Sequence, residues 1–177
     1  MRHEILIVDG YNMIGNWPEL AKMKKENHLK DARDTLLDVL SEYKKYEPDI
    51  RIILIFDAMY VPGIKEDFTR FNIEVTYTKE DQTADSYIEH LAGELNQPLN
   101  QVTVATSDQA EQWTVFSRGA LRISAFELYR QMKRTREEIQ SDAKHYDAFN
   151  RRNSPWSRRQ MLLLEKIRDN IDHHPKA

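Results

Sequence analysis

Ile5-Leu6-Ile7-Val8 and Ile52-Ile53-Leu54-Ile55-Phe56 are apolar at every position and rich in β-branched residues. Each run is followed at once by an aspartate, Asp9 and Asp57. A strand without polar alternation has no face to give to water, so it must be covered on both sides, as strands of parallel sheets are. The rest of the pattern supplies the cover. Ala32, Leu36, Leu40 and Tyr43 recur at helical spacing and predict a helix over 30–46. Asn72–Thr78 alternates as a strand, with Ile73, Val75 and Tyr77 on one side. A helix over 83–95 follows, with Thr83 as N-cap and Ile88, Leu91 and Leu95 on one stripe. Gln101–Ala105 reads as a strand, Asp108–Phe116 as a helix and Leu121–Ser124 as a last strand. A long helix from about Ala125 to about Ala143 is expected to turn Phe126, Tyr129 and Met132 inward. A break at Asn150–Ser154 precedes a final helix, opened by Ser154-Pro155 and carrying Leu164, Ile167 and Ile171. Strands alternating with helices specify the α/β class, with a central parallel sheet.

A chain of 177 residues makes one domain with room for a small appendage. It has no cysteine, which excludes disulfides, thiolate zinc sites and cysteine nucleophiles. No apolar run approaches the roughly 20 residues of a membrane span, and Met1-Arg2-His3-Glu4 leads straight into a strand rather than a signal peptide. The expected setting is soluble and cytoplasmic, with no membrane partner. Charge is uneven. Residues 1–114 carry 12 Lys+Arg against 21 Asp+Glu, a net of −9, and residues 115–177 carry 14 against 8, a net of +6. An acidic front and a basic tail suit a metal site beside a nucleic-acid grip; two solvated, arginine-rich helices would give the same balance.

Asp9 and Asp57 are joined by Asp85 in Thr83-Ala84-Asp85 and Asp108 in Thr106-Ser107-Asp108. Open parallel sheets place their sites just past the strand C-termini. Carboxylates gathered there repel one another and stay ionised most easily around hard cations, Mg2+ or Mn2+. Each acid has a plainer explanation. Asp9-Gly10 is a turn signal, Ser107 or Asp108 could cap a helix, and Asp85 favours a helix dipole. Asp85 precedes Ile88 by three residues, so it is expected to share the buried side and to need a partner there. Asn12, beyond Asp9, could hold a phosphate oxygen or a metal-bound water, or satisfy its own loop. Thr106 and Ser107 add hydroxyls, and Glu80 and Asp81 read as a solvated loop. Neither a Walker-type nor a dinucleotide-type glycine loop is present, so no nucleotide cofactor is expected. The six histidines, at 3, 28, 90, 145, 173 and 174, have no zinc-like spacing.

Val8-Asp9-Gly10-Tyr11-Asn12-Met13-Ile14-Gly15 resembles the opening motif of NYN domains, a branch of the PIN-like nucleases. Thr83-Ala84-Asp85 and Ala105-Thr106-Ser107-Asp108 stand where that fold carries its later acids. Asn16-Trp17-Pro18, Phe56-Asp57-Ala58, the run Ser107–Trp113 and Gly119-Ala120-Leu121-Arg122 bring the likeness closer to the bacterial YacP-like proteins. The resemblance spans roughly 4–140. It implies a PIN-like three-layer α/β/α sandwich over 1–140 and a basic helical extension over 141–177, packed on or next to it. It also implies a metal-dependent endoribonuclease that associates with the ribosome and cuts messenger RNA. Asp9, Asp85, Asp108 and Asn12 are its implied catalytic residues, and Asp9, Asp57, Asp85 and Asp108 its metal ligands.

With RNA as the implied target, the basic tail gains a reading. Arg130, Lys133 and Arg134 share a helical face, and Arg151, Arg152, Arg158 and Arg159 follow. Contacts of this kind bind phosphates with little sequence information. Glu137 and Glu138 would partly neutralise the same face. Two other functions compete. A non-catalytic RNA- or ribosome-binding module on the same scaffold would not need the full set of acids. A phospho-accepting signalling domain would use Asp57 and Thr106, but it lacks the expected paired acid beside Asp9 and a lysine after a late strand.

Overall fold

The computed structural model describes residues 3–58, 71–79, 81–109 and 119–153, with 112, 114 and 117; of 142–153 it describes the backbone alone. Its centre is the sheet that the apolar runs require. β1 (His3–Asp9), β2 (Arg51–Phe56), β3 (Glu74–Tyr77), β4 (Asn100–Ala105) and β5 (Leu121–Ile123) form five parallel strands in the order β3-β2-β1-β4-β5. The chain steps outward from β1 to β3, then returns to the other side of β1 for β4. That reversal opens a crevice at the C-terminal ends of β1 and β4, where open α/β sheets bind ligands. Val8 lies beside Ala105 and Asp9 beside Ile55, so Asp9, Asp57 and the Thr106–Asp108 turn leave the sheet at one edge.

The central strands are covered on both faces. Leu6, Val8, Ile52, Leu54 and Phe56 pack against α1 (Gly10–Asn16), α2 (Pro18–Lys25), α3 (Leu29–Tyr46) and the start of α5 (Ala125–Asn153). The alternate residues Ile5, Ile7, Ile53, Ile55, Val102 and Val104 pack on the opposite side against Ala84, Ile88 and Ala92 of α4 (Ala84–Leu95). The result is the three-layer α/β/α architecture of PIN-like folds. The chain divides into two compact units, residues 1–136 and 137–177. No helix among the described residues is long and apolar enough to cross a membrane.

Several expectations change. Asp9-Gly10 is not a turn: Asp9 caps α1 by accepting from the Asn12 amide at 3.2 Å, and Gly10 is already helical. α2 was not expected, although Pro18 takes the first helical position where proline fits best. α5 runs to Asn153 rather than about Ala143, because residues 144–153 contain no glycine or proline to end it. No break therefore begins at Asn150. The phase of α5 also differs. Ala125, Leu128 and Met132 face the core, Tyr129 is half-buried, and Phe126 is 60% exposed. The expected helix over 108–116 is helical at its described positions 109, 112 and 114; its other residues past Gln109 lie outside the described residues, as do Glu80 and the final helix with Leu164, Ile167 and Ile171.

Gly10 is needed for close approach. A Cβ there would run into the Phe56 ring and lie 3.0 Å from the Ile55 carbonyl, a backbone atom that cannot turn aside. Gly10→Ala should therefore destabilise the protein by about 1–3 kcal/mol, the usual cost of overpacking, read by urea denaturation. A loss below about 0.5 kcal/mol would contradict this packing.

Candidate functional site

Three loops and one helix start converge at the switch-point edge. Asp9 ends β1, Asp57 follows β2, Asp108 follows β4, and Asp85 stands in the first turn of α4. Thr83 caps α4 as expected, accepting from the Ser86 amide at 3.3 Å. Asp9 is buried at 7% exposure, Asp57 is half-buried, and Asp85 and Asp108 are exposed. The expectation that Asp85 points inward is overturned. The buried line of α4 runs through Ala84, Ile88 and Ala92, and Asp85 lies on its flank.

The four carboxylates are close enough to sense one another. Burial is the largest influence on Asp9 and pushes its pKa up to about 6; the Asn12 amide opposes, while Asp85, Asp108 and Asp57 raise it further. Asp85 is also raised, by partial desolvation first and then by Asp108 and Asp57. Among the described residues, no lysine, arginine or histidine offsets the Asp9 charge. Nor do any three acids or histidines among them converge tightly enough to hold an ion by themselves.

Hydrogen bonds stitch the edge together. Asn12 sits on α1, and its Oδ1 accepts from the Ser107 amide at 2.9 Å and from Asn16 Nδ2 at 3.3 Å. Its oxygen thus joins the β1 and β4 loops rather than a loop of its own. The Ser107 hydroxyl accepts from the Ala125 amide at 3.0 Å, and buried Thr106 takes the Asp108 amide on its hydroxyl at 3.1 Å. Gln112 donates to the Thr106 carbonyl and accepts from Arg122. Trp17 closes the other side, donating its indole N–H to the Ala125 carbonyl at 2.8 Å. The hydroxyls beside Asp108 were visible in sequence; their use as a latch onto α5 was not.

Of the basic residues, Arg130, Lys133 and Arg134 are exposed on α5. Arg151 and Arg152 also lie on α5, their side chains outside what is described, and Arg158 and Arg159 lie outside the described residues.

The family model described as YacP-like NYN domain matches residues 6–169. The chain is similar to a Bacillus subtilis (strain 168) protein named uncharacterized protein YacP, 47% identical over 137 residues, covering 77% of this chain and 79% of the relative. It is also similar to crystal structures of Rae1 (YacP) from Bacillus subtilis. A mutant form aligns with TM-score 0.72 and 43% identity, covering 82% of this chain and 84% of the other. A second structure aligns with TM-score 0.66 and 40% identity over 97% and 99%.

The Asp9 pKa makes a prediction for the metal-free protein. Its folded value, about 6, lies above the ordinary 3.8, so the unfolded chain ionises first as pH rises. Folding then loses stability between about pH 4 and pH 6, by about 3 kcal/mol. With divalent ions chelated, Asp9→Asn should exceed the wild type in urea-measured stability at pH 7.5 by up to that amount. The gap should shrink toward pH 4. A gap that does not vary with pH would contradict the assignment.

Proposed function

The chain belongs to the YacP-like NYN domain family, and on that premise we propose that it is a divalent-metal-dependent endoribonuclease that cuts messenger RNA in association with the translating ribosome. NYN domains belong to the PIN-like nuclease superfamily, whose members generally use divalent metals. The observation that carries the proposal is the state of Asp9. A carboxylate buried at the switch point, raised to about 6 and crowded by three other acids, is costly unless something neutralises it.

The donor set fits Mg2+ or Mn2+. It consists of carboxylate oxygens, and Mg2+ keeps several waters while using one or two carboxylates. Asp9 and Asp85, which sense each other at the edge, would supply those carboxylates. Asp9 and Asp85 are the proposed principal ligands, with Asp108 and Asp57 completing the negative edge. When bound, the ion supplies Lewis acidity toward the phosphodiester and an activated water. Asn12 positions the Asp9 and Ser107 loops, and its amide Nδ2 can donate to a phosphate oxygen. Arg130, Lys133 and Arg134 hold backbone phosphates, and Arg151, Arg152, Arg158 and Arg159 are proposed to extend that grip. The cytoplasm is the proposed compartment. Residues 1–140 are the proposed nuclease domain and 141–177 its basic extension.

Cleavage of messenger RNA on translating ribosomes should depend on Mg2+ or Mn2+. It should fall by at least about a hundredfold in Asp9→Asn and in Asp85→Asn while both variants fold. Wild-type activity in both variants would sink the proposal. Metal-independent ribosome binding with no cleavage by the wild type would favour a non-catalytic binding module. Replacing Lys133 and Arg134 together by alanine should weaken RNA binding with little sequence dependence and lower the log–log salt slope by about 1.4; an unchanged slope would remove those two contacts.

A further inference from the structure

Phe126 is an exposed aromatic that the core does not explain. It lies in the first turn of α5 at 60% exposure, while its neighbours Ala125 and Leu128 are buried. That turn is held firmly. Ser124 and Glu127 cap it reciprocally: the Glu127 carboxylate accepts from the Ser124 amide at 2.8 Å, and the Ser124 hydroxyl accepts from the Glu127 amide at 3.2 Å. The hydroxyl also donates to that carboxylate at 2.7 Å. The Ser124 contacts, with Arg122 and Arg130 nearby, hold the Glu127 carboxyl ionised below the usual range.

The turn is tied to the acidic edge. The Ala125 amide donates to Ser107 Oγ, the Ser107 amide donates to Asn12 Oδ1, and the Asn12 amide donates to Asp9 Oδ1, each at 2.9–3.2 Å. Phe126 is one residue past this relay, in the helical turn that is bonded to Ser107, the neighbour of Asp108. Behind it Arg130 and Lys133, four and seven residues on, share its helical face, with Arg134 beside them. The Arg130 guanidinium lies 5.9 Å from the Phe126 ring centroid, leaving the ring largely open to a second planar partner. A lone exposed phenylalanine needs no explanation. A firmly mounted one, with exposed cations along its helical face and its turn bonded to the loop that carries Asp108, matches the stacking platform and phosphate track of single-strand binders.

We propose that Phe126 stacks one unpaired nucleobase of single-stranded RNA, whose backbone runs along Arg130, Lys133 and Arg134 toward the acidic edge. This rests on the ribonuclease reading and sharpens it, since a base held by its face must leave the duplex stack. The platform selects single strands without reading their sequence.

The test is binding of an oligoribonucleotide about ten nucleotides long containing 2-aminopurine, with divalent ions chelated. The full-length wild type, Phe126→Ala, Phe126→Leu and Phe126→Trp are compared on single-stranded and duplexed forms. The wild type and Phe126→Trp should bind the single strand more tightly than the duplex and quench the fluorophore. Phe126→Ala and Phe126→Leu should lose the quenching and bind roughly five- to hundredfold more weakly. Because the ring is exposed, thermal unfolding of Phe126→Ala should match the wild type. Wild-type affinity and quenching in Phe126→Ala would overturn the platform while leaving the ribonuclease reading intact, as would equal wild-type affinity for duplex and single strand. Failure of the wild type to bind either RNA, even at low salt, would likewise overturn the platform, while the ribonuclease reading stands or falls on cleavage by the wild type on translating ribosomes.

Discussion

The Asp9 carboxylate is placed by the burial of the strand that carries it. β1 pairs with β2 on one edge and β4 on the other, and helices cover both its faces. Its last residue emerges where the strand order reverses, and there the chain places an acid. Removing that carboxylate from water, with three like charges nearby, raises its pKa to about 6. The fold does not relieve this with a local cation among the described residues. It adds a helix cap on one carboxylate oxygen, which opposes the shift without cancelling it. Stored electrostatic cost of this kind is characteristic of functional sites. The relief proposed here is a hard divalent cation.

The surrounding hydrogen bonds keep the crowded edge in place. Asn12, Ser107 and Ala125 connect α1, the β4 loop and α5 through side-chain oxygens and backbone amides. Trp17 reaches the Ala125 carbonyl from α1's C-terminal cap. The two halves of the switch-point crevice are thus fixed by polar bonds where the apolar packing ends. A loop that moved would separate the acids and weaken their mutual repulsion; the latch opposes that movement. The same latch holds the start of α5 against the β4 loop.

How much of this could be read from the chain depended on which force decided each position. The unbroken apolar runs ending at Val8 and Phe56 required a doubly covered parallel strand, and their alternate residues do fill two separate cores. Thr83 declared the start of α4 because a hydroxyl before a helical stripe has a local reason to be there. Asp9 was ambiguous, since Asp-Gly serves a turn as well as a cap. In the structure it caps α1, and the Phe56 ring of a distant strand fills the space above Gly10. Asp85 looked inward by its spacing from Ile88, but the small residues Ala84 and Ala92 define the buried line instead. Phe126 failed for a similar reason. Hydrophobicity placed it inside, whereas Ser124-x-x-Glu127, a capping signature present in the sequence, fixes a phase that puts it outside. The gathering of the acids at one edge was legible; their spacing and unequal burial needed the tertiary structure.

The central claim is that these carboxylates form a cation site. Electron paramagnetic resonance of Mn2+ titrated with purified protein reads it most directly, because free Mn2+ loses its sharp signal on binding. The account predicts that the wild type depletes the free signal saturably, that Mg2+ competes, and that Asp9→Asn and Asp85→Asn, both folded, leave most of the Mn2+ free. Equal depletion by the wild type and both variants would place the ion elsewhere and contradict the account.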